Sequence, residues 1–565
     1  MKGSEVLVKT LINHDVEYIF GLPGDTSLGW YESLYDYREQ ITHVLTTDER
    51  NAVYMAEAYA KIAKKPGICE GPSGGGATYM LPGIYEANGS SISLIAMNTD
   101  IPHTIHGKAT LTEIDQVNLF EAATKWSVRV DQVDRIPEFI RKAFRVATTG
   151  KPGAVHLAFP VNVMNCSVDK NVNYEKKNFQ FLKFPAERVA PPERDLKAAL
   201  DLIFKSERPF IIAGGGVHIS GAYEPLEKFS TAIGSPLGTS ITGKGSIDER
   251  HPLSVGVIGE NGGNGSSDEI IMNSDLIIFV GTQTGSVVTC HWQIPPDDGS
   301  RKIIQIDIDP REIGRNYNVD VGLVGDVKTT LERLVDMSHR KIETRTAAAT
   351  RLIENLKTWK EKEVERVEDA TTAPIHPLSI VKICEDLLPK NCIFTVDAGT
   401  PTPYFASYYR TRAERKFLIP RAHGALGYAI PAVVGAHKAD KSARVVALTG
   451  DGSMLMSMAE LITISREEIP AIIILFHNDE YSWIKTGIKY LKNQKYLSVD
   501  IPTIEYDKIA ESFGFASFIA ENADEFKESL KRALNEEKPT FIDAKTIPLH
   551  EVTPSTLPWR IGMKR

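Results

Sequence analysis

The sequence predicts an α/β protein made of three doubly wound, parallel-sheet domains, and three observations carry that expectation. With 565 residues the chain exceeds what one hydrophobic core organises; a guide of roughly 150 residues per domain gives three or four. Short apolar, β-branched runs alternate with amphipathic helical stretches, as expected for strands in a layer covered by helices. Several of the runs feed glycine-containing turns, which in such sheets lie at strand C-termini where ligands bind.

Composition narrows the functional classes. Hydrophobic residues make up 42%, charged residues 24%, and the net charge is -8, a balance suited to a globular enzyme and opposed to a nucleic-acid surface. No apolar run approaches the about 18 residues of a membrane span, and the opening MKGSEVLVKTL is polar and acidic where a signal peptide is apolar. A cytoplasmic protein with no membrane partner is expected. Cys69, Cys166, Cys290, Cys384 and Cys392 lack any CxxC pair, which predicts buried small hydrophobes and neither a disulfide framework nor a cysteine metal site.

The first domain is expected over residues 1–168, with strands at Tyr18 to Phe20, Ile68 to Glu70 and Ser93 to Met97. A turn containing Gly21, Pro23 and Gly24 follows the first of these in VEYIFGLPGD, Val16 to Asp25. In TTDERNAVYMAEAYAK, Glu49 precedes a helix whose apolar face is Val53, Met55, Ala56, Tyr59 and Ala60, so its carboxylate sits at the helix N-terminus. GPSGGG, Gly71 to Gly76, permits close backbone approach. His103 and His106 lie in a following loop and are candidates for a proton relay. Beyond Cys166 the lysine-rich stretch to Pro191 and Pro192 reads as an extended surface linker.

A second domain is expected over 193–336, its strands in PFIIAGGGVHISGA, DLIIFVGTQTG and KIIQIDIDPREIG. Gly214, Gly215 and Gly216 do not satisfy GxGxxG, so a dinucleotide site is weakly signalled and a supporting role is preferred. KTWKEKEVERVED, Lys357 to Asp369, reads as a charged helix with a solvated face. The third domain, 375–565, opens with the strand CIFTVDAG, Cys392 to Gly399.

The most informative stretch is Gly450 to Glu480. A β-rich run, RVVAL, ends in Gly450, Asp451, Gly452 and Ser453, a turn that admits a phosphate close to the backbone at the start of a helix predicted from Met454 to about Arg466. Met454, Met458, Leu461 and Ile462 are its expected apolar face. The next strand, Ala471 to Phe476, delivers Asn478, and a parallel crossover returns it beside the first. Asp451, Asn478 and the main-chain carbonyl of Glu480 then form a hard oxygen set suited to magnesium.

A GDG turn followed 27 positions after its Asp by an Asn resembles the metal-diphosphate motif of thiamine diphosphate enzymes, and the flanking chain resembles their acetolactate synthase, pyruvate oxidase and pyruvate decarboxylase group. The resemblance implies pyrimidine-binding, central and diphosphate-binding domains in that order. It implies that Glu49 contacts the aminopyrimidine ring and promotes removal of the thiazolium C2 proton. It further implies cofactor contacts from Pro23, Asp397, Gly399, Thr400, Gly424, Gly450, Gly452, Ser453, Tyr481 and Ser482, with Leu426 as a wedge under the cofactor.

The substrate pocket departs from that pattern. Where acetolactate synthases carry Gln and then Phe-Gln-Glu, this chain has Asp100 and then Leu111, Thr112 and Glu113; the usual Asn of the glycine loop falls at Gly76. Gly24, Asp100, Leu111, Thr112, Trp483 and Ile484 are the expected pocket residues, and Gly487 stands at the later Trp position. Gln283 replaces an Arg of flavin-binding relatives, which argues against FAD because Gln poorly replaces a bidentate anion partner.

The expected activity is decarboxylation of a 2-oxo acid, pyruvate foremost, with transfer of the acyl-anion equivalent to a second pyruvate to give 2-acetolactate. A simple decarboxylase, another C–C lyase on the same scaffold, and a non-catalytic cofactor-binding subunit stay open. One cofactor must meet both Glu49 and Asp451, which in the resembled family happens across a dimer interface, so the resemblance implies a homodimer or homotetramer.

Overall fold

A computed structural model describes residues 1–168, 172–174, 178–263, 265–338, 343–365, 373–412, 414 and 417–554. The last part of the expected third domain, 555–565, and residues 366–369 of the charged stretch lie outside these. Two compact units emerge. One comprises Met1–Glu187, Pro420–Val445 and Met456–Ala471; the other comprises Arg188–Ile419, Val446–Leu455 and Ile472–Arg565.

In the first unit, β1 (Tyr18–Gly21), β2 (Thr42–Leu45), β3 (Gly67–Gly71), β4 (Leu94–Asp100), β5 (Trp126–Arg129) and β6 (Ala154–Pro160) form a sheet of order β2-β1-β3-β4-β6-β5. Every pairing is parallel. Strands β3, β4 and β6 are buried along their whole length, as expected of the inner strands of a parallel sheet covered on both faces. Chain order reverses between β1 and β3, so the crevice for a ligand opens where the turns after Gly21 and Gly71 leave the sheet.

The second unit holds a sheet of β7 (Pro209–Ala213), β8 (Leu237–Thr239), β9 (Ser254–Val257), β10 (Leu276–Val280), β11 (Lys302–Asp307) and β12 (Val321–Val324), ordered β12-β11-β10-β7-β8-β9. At its reversal point, between β7 and β10, a Cβ on Gly214 would lie 2.5 Å from the Gly281 carbonyl oxygen and one on Gly216 2.8 Å from Gly281 Cα. These two glycines thus serve backbone-to-backbone packing. The remaining sheet has β13 (Cys392–Val396), β14 (Phe417–Leu418), β15 (Arg444–Gly450), β16 (Ile472–His477), β17 (Ala516–Ala520) and β18 (Thr540–Lys545), in the order β14-β13-β15-β16-β18-β17. Here the reversal lies between β13 and β15, whose ends carry Asp397 and Asp451.

Several expectations are corrected. The helix after the GDG turn begins at Asp451 itself, ends at Ser457, passes through a tight turn at Met458–Glu460 and resumes over Leu461–Arg466. That break rotates the apolar stripe: Met454 and Leu461 are buried, whereas Ile462 is 38% exposed. The segment beyond Cys166 is anchored where described, with Leu182 and Phe184 buried and the Phe184 N–H donating to the Lys64 carbonyl at 3.1 Å. The charged helix begins earlier than expected, spanning Glu343–Glu365: Thr358, Glu361 and Lys362 are exposed as expected, while the preceding Ile353 and Leu356 are buried beside Phe210 and Phe279. Cys166 is exposed, since it follows the short helix Val161–Asn165 at the surface, while the other four cysteines are buried. No helix among the described residues is long and apolar enough to cross a membrane.

Candidate active site

Glu49 opens the helix Glu49–Ala63, whose N-cap Asp48 accepts the Arg50 N–H at 2.8 Å. Glu460 fixes this end: its Oε1 accepts from the Thr47 N–H at 2.8 Å, the Thr47 hydroxyl at 2.7 Å and the Asn51 amide at 3.2 Å. No motif singles out Glu460; a buried acid that satisfies free N–H groups at a helix start is invisible until the chain folds. The Glu49 side chain is buried. Burial, aided by the nearby charges of Asp48 and Glu70, raises its pKa above the usual carboxylate range, as a group that exchanges protons near neutral pH requires.

The glycine loop packs on this carboxyl group. A Cβ on Gly71 would lie 3.2 Å from Glu49 Cγ, and one on Gly76 would lie 2.8 Å from Glu49 Oε1 and 2.6 Å from Pro72. The Asn that the family pattern places at position 76 has no room here. Gly24 is equally tight, its added Cβ meeting Pro72 at 2.6 Å, whereas Pro23 is exposed. A run of hydroxyls ties the loops together: Thr99 to Thr26 at 2.8 Å, Thr26 to Ser73 at 3.2 Å and Ser73 to Thr112 at 2.7 Å. Thr26, Ser73, Thr99 and Thr112 are thereby joined, and Gly24 packs on Pro72 beside them. Leu111 does not join them; it is 83% exposed. Leu426 is half-buried, and Gly424 is exposed with φ of +76°, the left-handed region that favours glycine.

In the second unit Asp397 is fully buried. Its Oδ2 accepts the Thr449 hydroxyl at 2.9 Å, and its main-chain N–H donates to Leu448 across the reversal point. Gly399, with φ of +135°, and buried Thr400 follow. Beside them Ser453 donates to the Ala398 carbonyl at 3.5 Å, and Gly452 faces the Tyr481 ring, where a Cβ would lie 2.4 Å from Tyr481 Cε1. Space above Gly450 is open, since a Cβ placed there would meet no heavy atom within 4 Å.

Asp451 is the centre of this group. Its Oδ2 accepts the Asn478 main-chain N–H at 2.9 Å, while Oδ1 is buried without a hydrogen-bond partner. Burial pushes its pKa up to about 6, against the lowering effect of that N–H and of His477. Asn478 Oδ1 accepts only the Ser482 hydroxyl, at 3.1 Å, among the described hydrogen bonds. The Glu480 carboxylate is committed to Ser482 at 2.6 Å, His550 at 2.9 Å and Lys485 at 2.6 Å, which leaves its main-chain carbonyl for the expected ligand role. Asp451, His477 and Asp479 also cluster closely enough to hold an ion. His477, however, is engaged by Asp543 at 2.7 Å and Asp479 at 2.8 Å, so the unpaired oxygen of Asp451 with the Asn478 amide oxygen is the better donor set. An orphaned, buried carboxylate oxygen fits a hard cation such as magnesium.

Trp483 is partly buried against the third-sheet core, and Ile484 is 55% exposed on the same helix, Ser482–Leu491. The residues that motif reading missed are Glu460, Gln116, His477 and Asp543. Each is an ordinary polar residue within an apolar stretch, and only partners distant in sequence give it a role.

The family descriptions of the thiamine pyrophosphate enzyme N-terminal binding domain, central domain and C-terminal binding domain match residues 1–119, 196–334 and 397–544. A probable acetolactate synthase large subunit of Methanocaldococcus jannaschii is 34% identical over 557 residues, covering 96% of this chain and 91% of that protein. That of Methanococcus aeolicus is 33% identical over 555 residues, covering 96% and 92%. The acetolactate synthase isozyme 2 large subunit of Escherichia coli is 26% identical over 559 residues, covering 99% and 98%. The chain belongs to the thiamine diphosphate-dependent enzymes, in their acetolactate synthase-like group.

Proposed function

We propose that this enzyme decarboxylates a 2-oxo acid, pyruvate foremost, and joins the two-carbon unit to a second pyruvate to give 2-acetolactate, with thiamine diphosphate and Mg2+. The observation that carries the metal and diphosphate part is the buried Asp451 Oδ1, which makes no hydrogen bond among the described residues and has only His477 Nε2 near it, at 3.7 Å. Asp451, Asn478 and the Glu480 carbonyl would hold the cation, and Gly450, Gly452 and Ser453 the diphosphate. When bound, the cofactor supplies the electron sink for loss of carbon dioxide. The protein's share is to hold Glu49 dry, to orient the substrate and to exclude water.

The altered pocket favours a second reading, a 2-oxo acid decarboxylase or another C–C lyase. Asp100 stands where a neutral amide is usual, and Leu111 is exposed rather than lining the site. A non-catalytic partner subunit is disfavoured because Glu49, Asp451 and Asn478 are all kept. The three domains are assigned to 1–168, 193–336 and 375–565. Gln283 supports a central domain without FAD. A homodimer or homotetramer, with Glu49 and Asp451 serving one cofactor by symmetry, is the assembly this reading requires.

Exchange of the cofactor's C2 proton in deuterated solvent tests the assignment of Glu49. Glu49→Gln should abolish exchange and leave thiamine diphosphate bound; wild-type exchange in that variant would remove Glu49 from the mechanism.

A further inference from the structure

At the end of β4 lies a cavity of about 830 Å³, walled by residues that include Asp100, His106, Glu113, Gln116 and Arg129. Asp100 closes β4 and is 2% exposed. Its Oδ1 accepts the Ile101 N–H at 2.9 Å, and its Oδ2 faces His106 Nε2 at 3.3 Å. That ring nitrogen is buried and makes no hydrogen bond among the described residues. The other, Nδ1, lies 3.9 Å from Glu113 Oε1, and the His106 side chain is 24% exposed.

Glu113 holds the loop that presents this ring, accepting the N–H of Gly107 and that of Thr110, the latter at 3.0 Å. His103 is diverted, since its backbone and ring hydrogen-bond to Asn162 at 3.1 and 2.7 Å. Both Asp100 and His106 line the cavity, and the His106 ring is the more open of the two, its side chain 24% exposed against 2% for Asp100. Gln116, buried beside it, donates to the Thr99 carbonyl at 3.0 Å, and its Oε1 makes no hydrogen bond among the described residues, a further polar atom available to water or substrate.

We propose that Asp100 and His106 are a proton-delivery pair for the decarboxylation proposed above, on which this inference rests. In that reaction the bond between carbonyl carbon and carboxylate breaks, and carbon dioxide leaves without the bonding pair. The pair stays on the former carbonyl carbon, which bonds either to a proton or to the carbonyl carbon of a second 2-oxo acid, whose oxygen then takes the displaced pair and a proton. Either course consumes one proton for each carbon dioxide released. Asp100 gives that proton, regains it from His106, and His106 draws on water in the cavity. Burial raises the Asp100 pKa although His106, Arg129 and the Ile101 N–H work the other way, so Asp100 keeps its proton to higher pH than an exposed aspartate. A Gln in this place, as in the resembled synthases, offers no proton to give.

The experiment compares wild type, His106→Asn, His106→Ala and Asp100→Asn, loaded with thiamine diphosphate and Mg2+. Carbon dioxide release from pyruvate and other 2-oxo acids is followed together with exchange of the cofactor's C2 proton. Release should fall by about a hundredfold or more in the asparagine variants, with C2 exchange and cofactor affinity kept, and added imidazole should restore His106→Ala. Release at the wild-type rate in His106→Asn overturns the relay alone. Loss of C2 exchange together with release, unrescued by imidazole, also overturns it, because the pair then acts only through structure. A wild type inert toward every 2-oxo acid overturns the proposed function, and the relay with it.

Discussion

Asp451 and Asn478 are joined by a main-chain N–H to carboxylate hydrogen bond of 2.9 Å, which ties the end of β15 to the end of β16 and leaves the second carboxylate oxygen buried with no hydrogen bond among the described residues. A cation at that oxygen satisfies it and neutralises a carboxylate that burial otherwise disfavours. Asp451→Ala is therefore expected to weaken thiamine diphosphate binding in magnesium buffer by about a hundredfold, since loss of merely supporting groups around a metal already costs about tenfold or more. Calorimetric titration with and without Mg2+ checks this; unchanged affinity removes Asp451 from the metal site.

Glu49 depends on a close helix crossing. The helix Ala429–Ala439 meets Glu49–Ala63 at Gly435, where a Cβ would sit 1.9 Å from the Met55 carbonyl oxygen. Backbone cannot yield as a flexible side chain does, so Gly435→Ala should cost about 3 kcal/mol, the upper end for an overpacked core. Thermal unfolding measures it. A variant as stable as wild type contradicts the crossing.

A buried histidine sets an acid limit on the first unit. His156 stacks on Phe120 at 3.9 Å between ring centroids and hydrogen-bonds with Ser127 through Nδ1 at 3.0 Å; burial lowers its pKa from 6.5 to about 3. Below the unfolded value the unfolded chain takes up a proton that the folded chain refuses. Stability then falls with pH by up to about 1.4 kcal/mol per unit across that window. His156→Asn should flatten the decline in urea midpoint between neutral and mildly acid pH, although it lowers stability at neutral pH. An unchanged slope assigns the acid sensitivity elsewhere.

Strands and their turns were legible because periodicity and glycine punctuation are local. β1, β3, β4, β13, β15 and β16 lie within a few residues of the apolar runs that announce them. Helix continuity was less so: nothing local in Met454 to Arg466 announces the tight turn at Met458–Glu460, which buries the Glu460 side chain and brings it to Thr47 and Asn51. At the site, Asp451, Asn478 and Glu49 were recognisable from spacing together with resemblance. The meeting of Asp100 with His106 was not, because the tight turn His103–Ile105 that lies between them carries no residue pattern that announces it. Leu111 shows the converse, since alignment with a pocket residue does not bury a side chain.

The central claim is tested most directly by incubating the purified protein with thiamine diphosphate, Mg2+ and pyruvate while carbon dioxide and products are measured together. The account predicts carbon dioxide release that depends on both additions, with 2-acetolactate as the product. Acetaldehyde as the sole organic product would contradict carboligation and make the enzyme a decarboxylase, and absence of turnover on pyruvate and on a panel of other 2-oxo acids would contradict the proposed function.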